Sequence, residues 1–157
     1  MIILTFIIVL IDLLSKIVVS KYIELNESIR LIKGFLNLTY VRNTGAAFSI
    51  FDDSTFFVLV ISALIIVGII LYVYNNRPSK NIEKISYAFI LGGAIGNFLD
   101  RVINGYVIDF IDIKIFSYNY PIFNLADSFI VIGVIILMIY TWRNGKNGDN
   151  SIRKWWY

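Results

Sequence analysis

Long apolar runs alternate with shorter polar segments along this chain, and four of the runs have the length of a membrane-spanning helix. They cover about residues 1–19, 56–74, 85–103 and 127–142. An α-helix needs about 20 apolar residues to cross roughly 30 Å of hydrocarbon. The pattern therefore predicts a mainly α membrane protein with four transmembrane helices, in which residues 1–157 form a single multi-pass domain.

The two longer segments between these runs have the pattern of β-structure. Leu36–Tyr40 alternates apolar and polar residues, as a half-buried strand does, and Asn43–Gly45 is typical of a turn. Residues 106–116 are rich in Val, Ile, Phe and Tyr, which favour strands. We therefore expect a small extracytoplasmic β platform at about residues 24–50 and 105–120, resting on the helix ends.

The composition supports a membrane environment and removes several kinds of chemistry. The sequence is 58% hydrophobic and 16% charged, so a soluble fold of this size would expose too much apolar surface to water. It contains no His and no Cys, which excludes disulfides, Ser-His triads and zinc sites built on those residues. Its net charge of +3 is not gathered into a basic, aromatic face, so no nucleic-acid partner is expected.

The basic residues near the ends of the apolar runs predict how the chain is oriented. Cytoplasmic loops carry an excess of Lys and Arg. The connection between the second and third runs and the tail after the fourth are both basic, through Arg77, Lys80, Lys84, Arg143, Lys146, Arg153 and Lys154. Both termini are therefore expected in the cytoplasm. The first run lacks the basic start and small-residue cleavage site of a signal peptide, so we expect it to remain as a span.

With that orientation, the polar groups of the spans converge on the outer leaflet. They are Asp12, Lys16, Asn97, Asp100, Arg101 and Asp127, and the outer connection adds Asp109 and Asp112. Ionisable groups at the edge of hydrocarbon are costly and are usually retained for a use. This convergence predicts a functional site near the outer leaflet. It argues against a transporter or channel, which would need charges deeper in the bilayer.

Asp12 and Lys16 lie one helical turn apart and so share a face. We favour an ion pair that makes two buried charges tolerable. A Ser/Lys hydrolase, with Lys16 as the base and Ser20, Ser49 or Ser128 within reach, is an alternative. The spacing of Gly92 and Gly96 predicts close packing of two helices.

Asp109 and Asp127 allow three interpretations. Asp127 suits the N-cap of the fourth span. Together with Asp100 and Asp112, the two could offer oxygen ligands to a hard cation. They could also form a catalytic pair that shares a proton and activates water. A non-catalytic lipid-binding or assembly subunit is a further possibility, and the residues alone leave these readings open.

Five ordered blocks resemble the signal peptidase II (lipoprotein signal peptidase) family over about residues 10–140. They are Asp12-x-x-x-Lys16, Arg42–Phe48, Gly92–Arg101, Val107–Asp112 and Phe123–Asp127. The resemblance implies an intramembrane aspartyl endopeptidase of the bacterial plasma membrane. Such enzymes remove the signal peptide from prolipoproteins by cleaving before a diacylglyceryl-modified cysteine, and globomycin-like cyclic peptides inhibit them. The resemblance implies no metal or cofactor.

The resemblance also implies roles for individual residues. Asp109 and Asp127 match the catalytic dyad, and Asp12 and Lys16 match a structural polar pair. The positions that match substrate-binding or site-ordering residues are Asn43, Gly45, Asn97, Arg101 and Asn124. The chain begins almost directly with its first span, without the family's usual short basic leader, so the expected orientation depends on the two downstream basic segments.

Overall fold

A computed structural model describes residues 1–45, 54–115 and 118–146. Four long helices occupy the predicted apolar runs, and short strands lie in the two outer segments. In chain order the elements are α1 (Ile2–Tyr22), β1 (Ser28–Ile32), β2 (Leu36–Asn43), α2 (Ser54–Asn76), α3 (Asn81–Asn104), β3 (Val107–Ile115), β4 (Tyr118–Asn119) and α4 (Leu125–Lys146). The predicted combination of a mainly helical protein with a small sheet is confirmed.

Three helices of the described chain are long and apolar enough to cross a membrane: Ile2–Tyr22, Phe56–Asn76 and Leu125–Asn144. They carry many large apolar side chains on their outer surfaces, which suits contact with lipid. The remaining helix, α3, packs against α1, α2 and α4 and so occupies the centre of the bundle. Its polar groups therefore lie against protein, which explains why its sequence is less apolar.

Glycines on α3 allow the neighbouring helices to approach closely. A Cβ on Gly92 would lie 2.6 Å from a methyl group of Ile8 on α1, and one on Gly96 would meet the Asp12 carboxylate. The predicted close packing through these two glycines is confirmed. On the adjacent face, a Cβ on Gly93 would collide with the backbone carbonyl of Ala126 in the first turn of α4.

We expect Gly93→Ala to reduce stability by about 1–3 kcal/mol, because the obstructing atom is backbone and α4 must shift away from α3. Thermal unfolding of the purified protein in detergent measures the effect. Gly68→Ala is the matched control, since a Cβ there meets nothing within 4 Å. Alanine favours a helix over glycine by about 1 kcal/mol, so the control should not be less stable. Equal unfolding temperatures for the two variants would contradict the prediction.

The four strands form one antiparallel sheet in the order β1-β2-β3-β4. One face of the sheet packs on the C-terminal end of α1, through a buried cluster of Val19, Ile23, Tyr40, Ile108 and Phe110. The predicted small platform on the helix ends is thus present, although its expected residues 46–50 lie outside the described part of the chain. The cluster fixes the sheet, and hence β3, relative to the helices.

A β-bulge in β3 breaks the regular alternation of its side chains. The backbone N–H groups of Phe110 and Ile111 both donate to the carbonyl of Phe123, at 3.0 and 2.7 Å. Both side chains pack with the apolar cluster. Asp109 and Asp112, which flank them, therefore point to the opposite face of the sheet. Without the bulge, strict alternation would place these two carboxylates on different faces.

Candidate functional site

Asn124 connects the carboxylates of Asp109 and Asp127, which come from different elements. Its side-chain N–H donates to Asp109 Oδ1 at 2.7 Å, and its backbone N–H donates to Asp127 Oδ2 at 3.2 Å. Asn124 is fully buried and Asp109 is almost so. One residue thus holds the strand β3 and the start of α4 in a fixed relation, with their two carboxylates converging on it.

The start of α4 is capped by Asn124, so the interpretation of Asp127 as the N-cap is wrong. The helix begins at Leu125, and the backbone N–H of Asp127 donates to Asn124 Oδ1 at 3.0 Å. Asp127 bonds in return to the backbone N–H of Asn124, which completes a reciprocal cap. Asp127 lies in the first turn, where the helix dipole favours negative charge.

Asn97 on α3 links the site to the interior of the bundle. Its Nδ2 donates to Asp127 Oδ1 at 2.7 Å. Its Oδ1 accepts bonds from Lys16 Nζ at 2.9 Å and from Asn124 Nδ2 at 3.0 Å. Because two donors converge on the oxygen, the amide has one satisfactory orientation, and its N–H is directed at Asp127.

Lys16 is the centre of a buried ion cluster. Its Nζ lies 2.7 Å from Asp12 Oδ2 and 3.0 Å from Asp100 Oδ2. Asp12 also accepts the backbone N–H of Ala126 at 3.0 Å, and Asp100 accepts that of Ile108 at 3.2 Å. The predicted ion pair of Asp12 with Lys16 is confirmed, and Asp100 forms a second ion pair with the same lysine. The cluster fixes the backbone beside both Asp127 and Asp109.

This cluster does not support Lys16 as the base of a Ser/Lys hydrolase. Its three donors are used by Asp12, Asn97 and Asp100. Ser20 and Ser128 donate instead to the carbonyls of Ile17 and Asn124. Ser49, the other serine considered, lies outside the described residues.

Asn43 at the end of β2 reaches Asp109 from the other side. Its Nδ2 donates to Asp109 Oδ2 at 2.8 Å, and its Oδ1 accepts the backbone N–H of Gly45 at 2.8 Å. Gly45 has φ +81°, a conformation that favours glycine. The Asn43–Gly45 turn therefore aims an amide at Asp109. Residues 46–48 of the Arg42–Phe48 block lie outside the described chain.

Arg101 lies beside the pair in the last turn of α3. Its guanidinium donates to the Asn97 carbonyl at 3.4 Å, and it interacts electrostatically with Asp109 and Asp127. Its Nε is the only enclosed side-chain polar atom in the described chain that has no hydrogen-bond partner. Arg101 is therefore half-buried at the site rather than a simple solvated helix end, and it retains a donor for another group.

The environment of Asp109 raises its pKa to about 6. Burial is the main cause, since removal from water disfavours the charged form. The hydrogen bond from Asn43 acts in the opposite direction, and the negative charge of Asp127 raises the pKa further. A carboxyl group with this pKa can keep its proton under mildly acidic conditions, as a general acid must.

The four aspartates considered as cation ligands do not converge on one point. Asp100 belongs to the Lys16 cluster, and Asp112 accepts bonds from Asn37 and Thr39 on β2. Only Asp109 and Asp127 share a partner, Asn124. Within residues 1–45, 54–115 and 118–146, no three acidic groups are arranged to hold a metal ion.

Two grooves meet at Asp127. The sheet-side groove has a volume of about 410 Å³ and runs between β3 and α4, past Ile113, Phe123 and Val131. The helix-side groove has a volume of about 320 Å³ and lies between α2, α3 and α4, with Val58, Ser62 and Arg101 in its walls. Apolar side chains dominate both, so extended apolar groups could approach Asp127 from either side.

Reasoning from the residues did not identify the roles of Asn124 and Asn97 in joining the site, although the family resemblance implied both positions. The available signal was an Asn just before the last apolar run, since Asn is a preferred residue at the start of a helix. Nothing in the sequence indicated the contacts of Asp100 with Lys16 and of Asp112 with Asn37, since each joins residues that are distant in sequence.

Comparison with known proteins gives a consistent result. The family model described as signal peptidase (SPase) II matches residues 4–143. The lipoprotein signal peptidase of Anoxybacillus flavithermus is 40% identical over 91% of this chain and 85% of its own length. That of Halothermothrix orenii is 41% identical over 91% of this chain and 95% of its own length.

Solved structures agree with the sequence matches. A bacterial membrane enzyme determined by the in meso method at 2.3 Å resolution superposes with a TM-score of 0.83 and 33% identity, covering 94% of this chain and 90% of that one. A second such structure, at 1.9 Å resolution, has a TM-score of 0.83 and 34% identity, and the match covers 89% of this chain and 90% of that one.

Proposed function

This chain belongs to the signal peptidase II family, and from that premise we propose that it removes the signal peptide from prolipoproteins, cleaving before a diacylglyceryl-modified cysteine. Asp109 and Asp127 are the proposed catalytic dyad of this aspartic endopeptidase. The observation that carries the proposal is the pair of hydrogen bonds by which Asn124 holds both carboxylates. Asn43, Gly45, Asn97, Arg101 and Asn124 order the site or bind substrate.

In the proposed reaction, the two carboxyl groups of the dyad share one proton, and one acts as the acid while the other acts as the base. Asp109, whose pKa is about 6, carries the proton and donates it to the scissile carbonyl. Asp127 takes a proton from the attacking water. Each of the two carboxyl groups accepts two N–H donors, so the hydrogen bonds do not distinguish them, and the burial that raises the pKa of Asp109 assigns it the acid role. Arg101, whose charge interacts with both Asp109 and Asp127, is the cation that would stabilise the developing oxyanion.

The membrane arrangement follows from the same features. We propose that α3 is the fourth span, that both termini are cytoplasmic and that the dyad lies near the outer leaflet of the bacterial plasma membrane. A signal peptide is an apolar helix, so it can approach laterally in lipid and must unwind near the bond to expose its carbonyl. The two apolar grooves at Asp127 suit the signal peptide on the helix side and the acyl chains on the sheet side.

The direct test is cleavage of a synthetic prolipoprotein peptide by the purified protein. A diacylglyceryl-modified peptide should be cut before its cysteine, as read by mass spectrometry, and the matched unmodified peptide should not. A globomycin-like cyclic peptide should inhibit the reaction, and EDTA should leave the rate unchanged. Loss of activity with EDTA and recovery on adding a divalent cation would favour a metal-dependent hydrolase instead.

The pKa of Asp109 makes the pH profile a second test. We expect kcat/KM, which reports the free enzyme, to fall as pH rises through about 6, because Asp109 then loses the proton it must donate. Asn43 stabilises the charged form, so Asn43→Leu should move this midpoint to higher pH. Initial rates across the pH range, with a fixed peptide, measure the shift. A midpoint that moves to lower pH in the variant would contradict the assignment.

A further inference from the structure

Asp112 is a buried carboxylate without a cationic partner. Its side chain is among the buried polar groups, at 8% exposure, and its Oδ2 accepts neutral donors: Asn37 Nδ2 at 2.9 Å and Thr39 Oγ at 3.0 Å. Ion pairs in the described chain are confined to the Lys16 cluster. Of the segments outside the described chain, 46–53 and 116–117 contain no Lys or Arg, and residues 147–157, which contain Arg153 and Lys154, belong to the tail that we propose to be cytoplasmic. A buried charge without a counter-charge is costly, so another molecule is a plausible source of one.

The other oxygen of Asp112 is available for that contact. Asp112 Oδ1 has no hydrogen bond within the described chain. In that part of the chain, Arg101 Nε is the only side-chain polar atom that is both enclosed and without a hydrogen-bond partner, so Asp112 Oδ1 is not enclosed. It must therefore reach solvent. The bulge at Phe110 and Ile111 turns Asp112 to the same face as Asp109, in a polar row completed by Asn43, Thr39 and Asn37. Asp112 is thus an accessible acceptor in line with the site.

The spacing along β3 selects one position of a bound peptide. Strands rise about 3.3 Å per residue, so Asp112 lies roughly 10 Å further along the strand than Asp109. In the proposed arrangement the signal peptide lies on the helix side and the acyl chains lie between β3 and α4, which leaves the polar face of the sheet for the chain that follows the scissile bond. An extended substrate would then bring its third residue after that bond opposite Asp112, counting the modified cysteine as the first.

We propose that Asp112 is a specificity-determining residue, which recognises the third residue after the scissile bond and favours a cation there over an anion. This inference rests on the proposed function. Two cations share the face by register: Arg30, which pairs with Asn37, and Lys114, two residues after Asp112. Neither forms an ion pair with Asp112. Lys114 lies beyond Asp112 along β3, away from Asp109, and Arg30 lies level with Asp112 on the edge strand β1.

Three diacylglyceryl-modified peptides test the proposal, identical except for Lys, Gln or Glu at the third residue. The wild-type protein should show kcat/KM in the order Lys, Gln, Glu, with about a tenfold difference between Lys and Glu at low salt. Raising the ionic strength should reduce that ratio, because the contact is open to solvent on one side. Asp112→Asn should bring the Lys-to-Glu ratio close to one, while its carbonyl oxygen can still accept from Asn37 and Thr39.

Glu27→Gln is the matched control, since it removes the same charge from the outer segment just before β1 and should keep the wild-type ratio. Equal cleavage of the three peptides by the wild-type protein, or an unchanged ratio in Asp112→Asn, would overturn the inference while leaving the proposed function intact. Failure of the wild-type protein to cut any of the three would overturn both. The salt dependence of the wild-type ratio needs no variant, so it decides the question even where Asp112→Asn folds poorly.

Discussion

Replacing either Asp109 or Asp127 with Asn is expected to lower kcat for prolipoprotein cleavage by about 10²- to 10⁴-fold, the contribution of a positioned acid or base. Asn has nearly the same shape as Asp, so packing around it is conserved. At position 109 it can donate hydrogen bonds but has no acidic proton to transfer. At position 127 it cannot take a proton from water, although its carbonyl oxygen can still accept one of the two bonds from Asn97 and Asn124.

Single-turnover cleavage of the diacylglyceryl-modified peptide measures this loss. The two variants should insert in the membrane and bind the peptide, so KM or a direct binding measurement should change far less than kcat. Glu83→Gln, at the opposite end of α3, is the matched control and should retain the wild-type kcat. The two losses should not be additive in the double variant, because the residues act as a unit. Near-normal turnover by either single variant would refute the dyad.

Lys16→Met is expected to reduce the free energy of unfolding by about 3–5 kcal/mol, the usual cost of leaving a buried charge without its partner. Met matches the length of Lys, so the change removes charge and hydrogen bonds with little loss of volume. Asp12 and Asp100 would then face each other at 0% and 3% exposure without a cation, and Asn97 would lose a donor to its Oδ1. Denaturant unfolding in detergent measures the loss.

Lys21→Met is the control. Lys21 lies further along the same helix and its side chain is exposed, so the change should alter stability by no more than about 0.5 kcal/mol. Adding Asp100→Asn to Lys16→Met should recover part of the loss, because it removes one of the two uncompensated carboxylates. An equal stability for Lys16→Met and Lys21→Met would show that the cluster contributes little. A further loss in the double variant would point to the hydrogen bond of Asp100 with Ile108 rather than to charge.

Features that depend on local pattern could be predicted from the sequence. Apolar runs gave the helices, because length and hydropathy are properties of consecutive residues, and alternation gave the strands of the outer segments. The one-turn spacing of Asp12 and Lys16 gave their ion pair. The spacing of Gly92 and Gly96 predicted close packing against another helix, which the structure identifies as α1. Each of these depends on neighbours within about one or two helical turns.

Features that depend on contacts between residues far apart in the sequence could not be predicted. The direction of Asp112 depends on the bulge at Phe110 and Ile111, which forms because both N–H groups meet one carbonyl from a later segment. Asp127 was a natural N-cap by residue type, but the helix begins two residues earlier and Asn124 takes that role. Resemblance to a family supplied the candidate dyad, and nothing in the residue pattern alone would have distinguished it from a cap and a strand aspartate.

The hydrogen bond between Asp12 on the first helix and the backbone of Ala126 on the last has a consequence for biosynthesis. During translation α1 enters the bilayer well before α4 has been made, and Asp127 arrives with α4. A ribosome-bound or truncated chain therefore has neither the full set of partners for Asp12 nor the second acid. If Asp109 and Asp127 form the proposed dyad, hydrolytic activity should appear only after α4 has been made, so shorter copies cannot cut other proteins in the membrane.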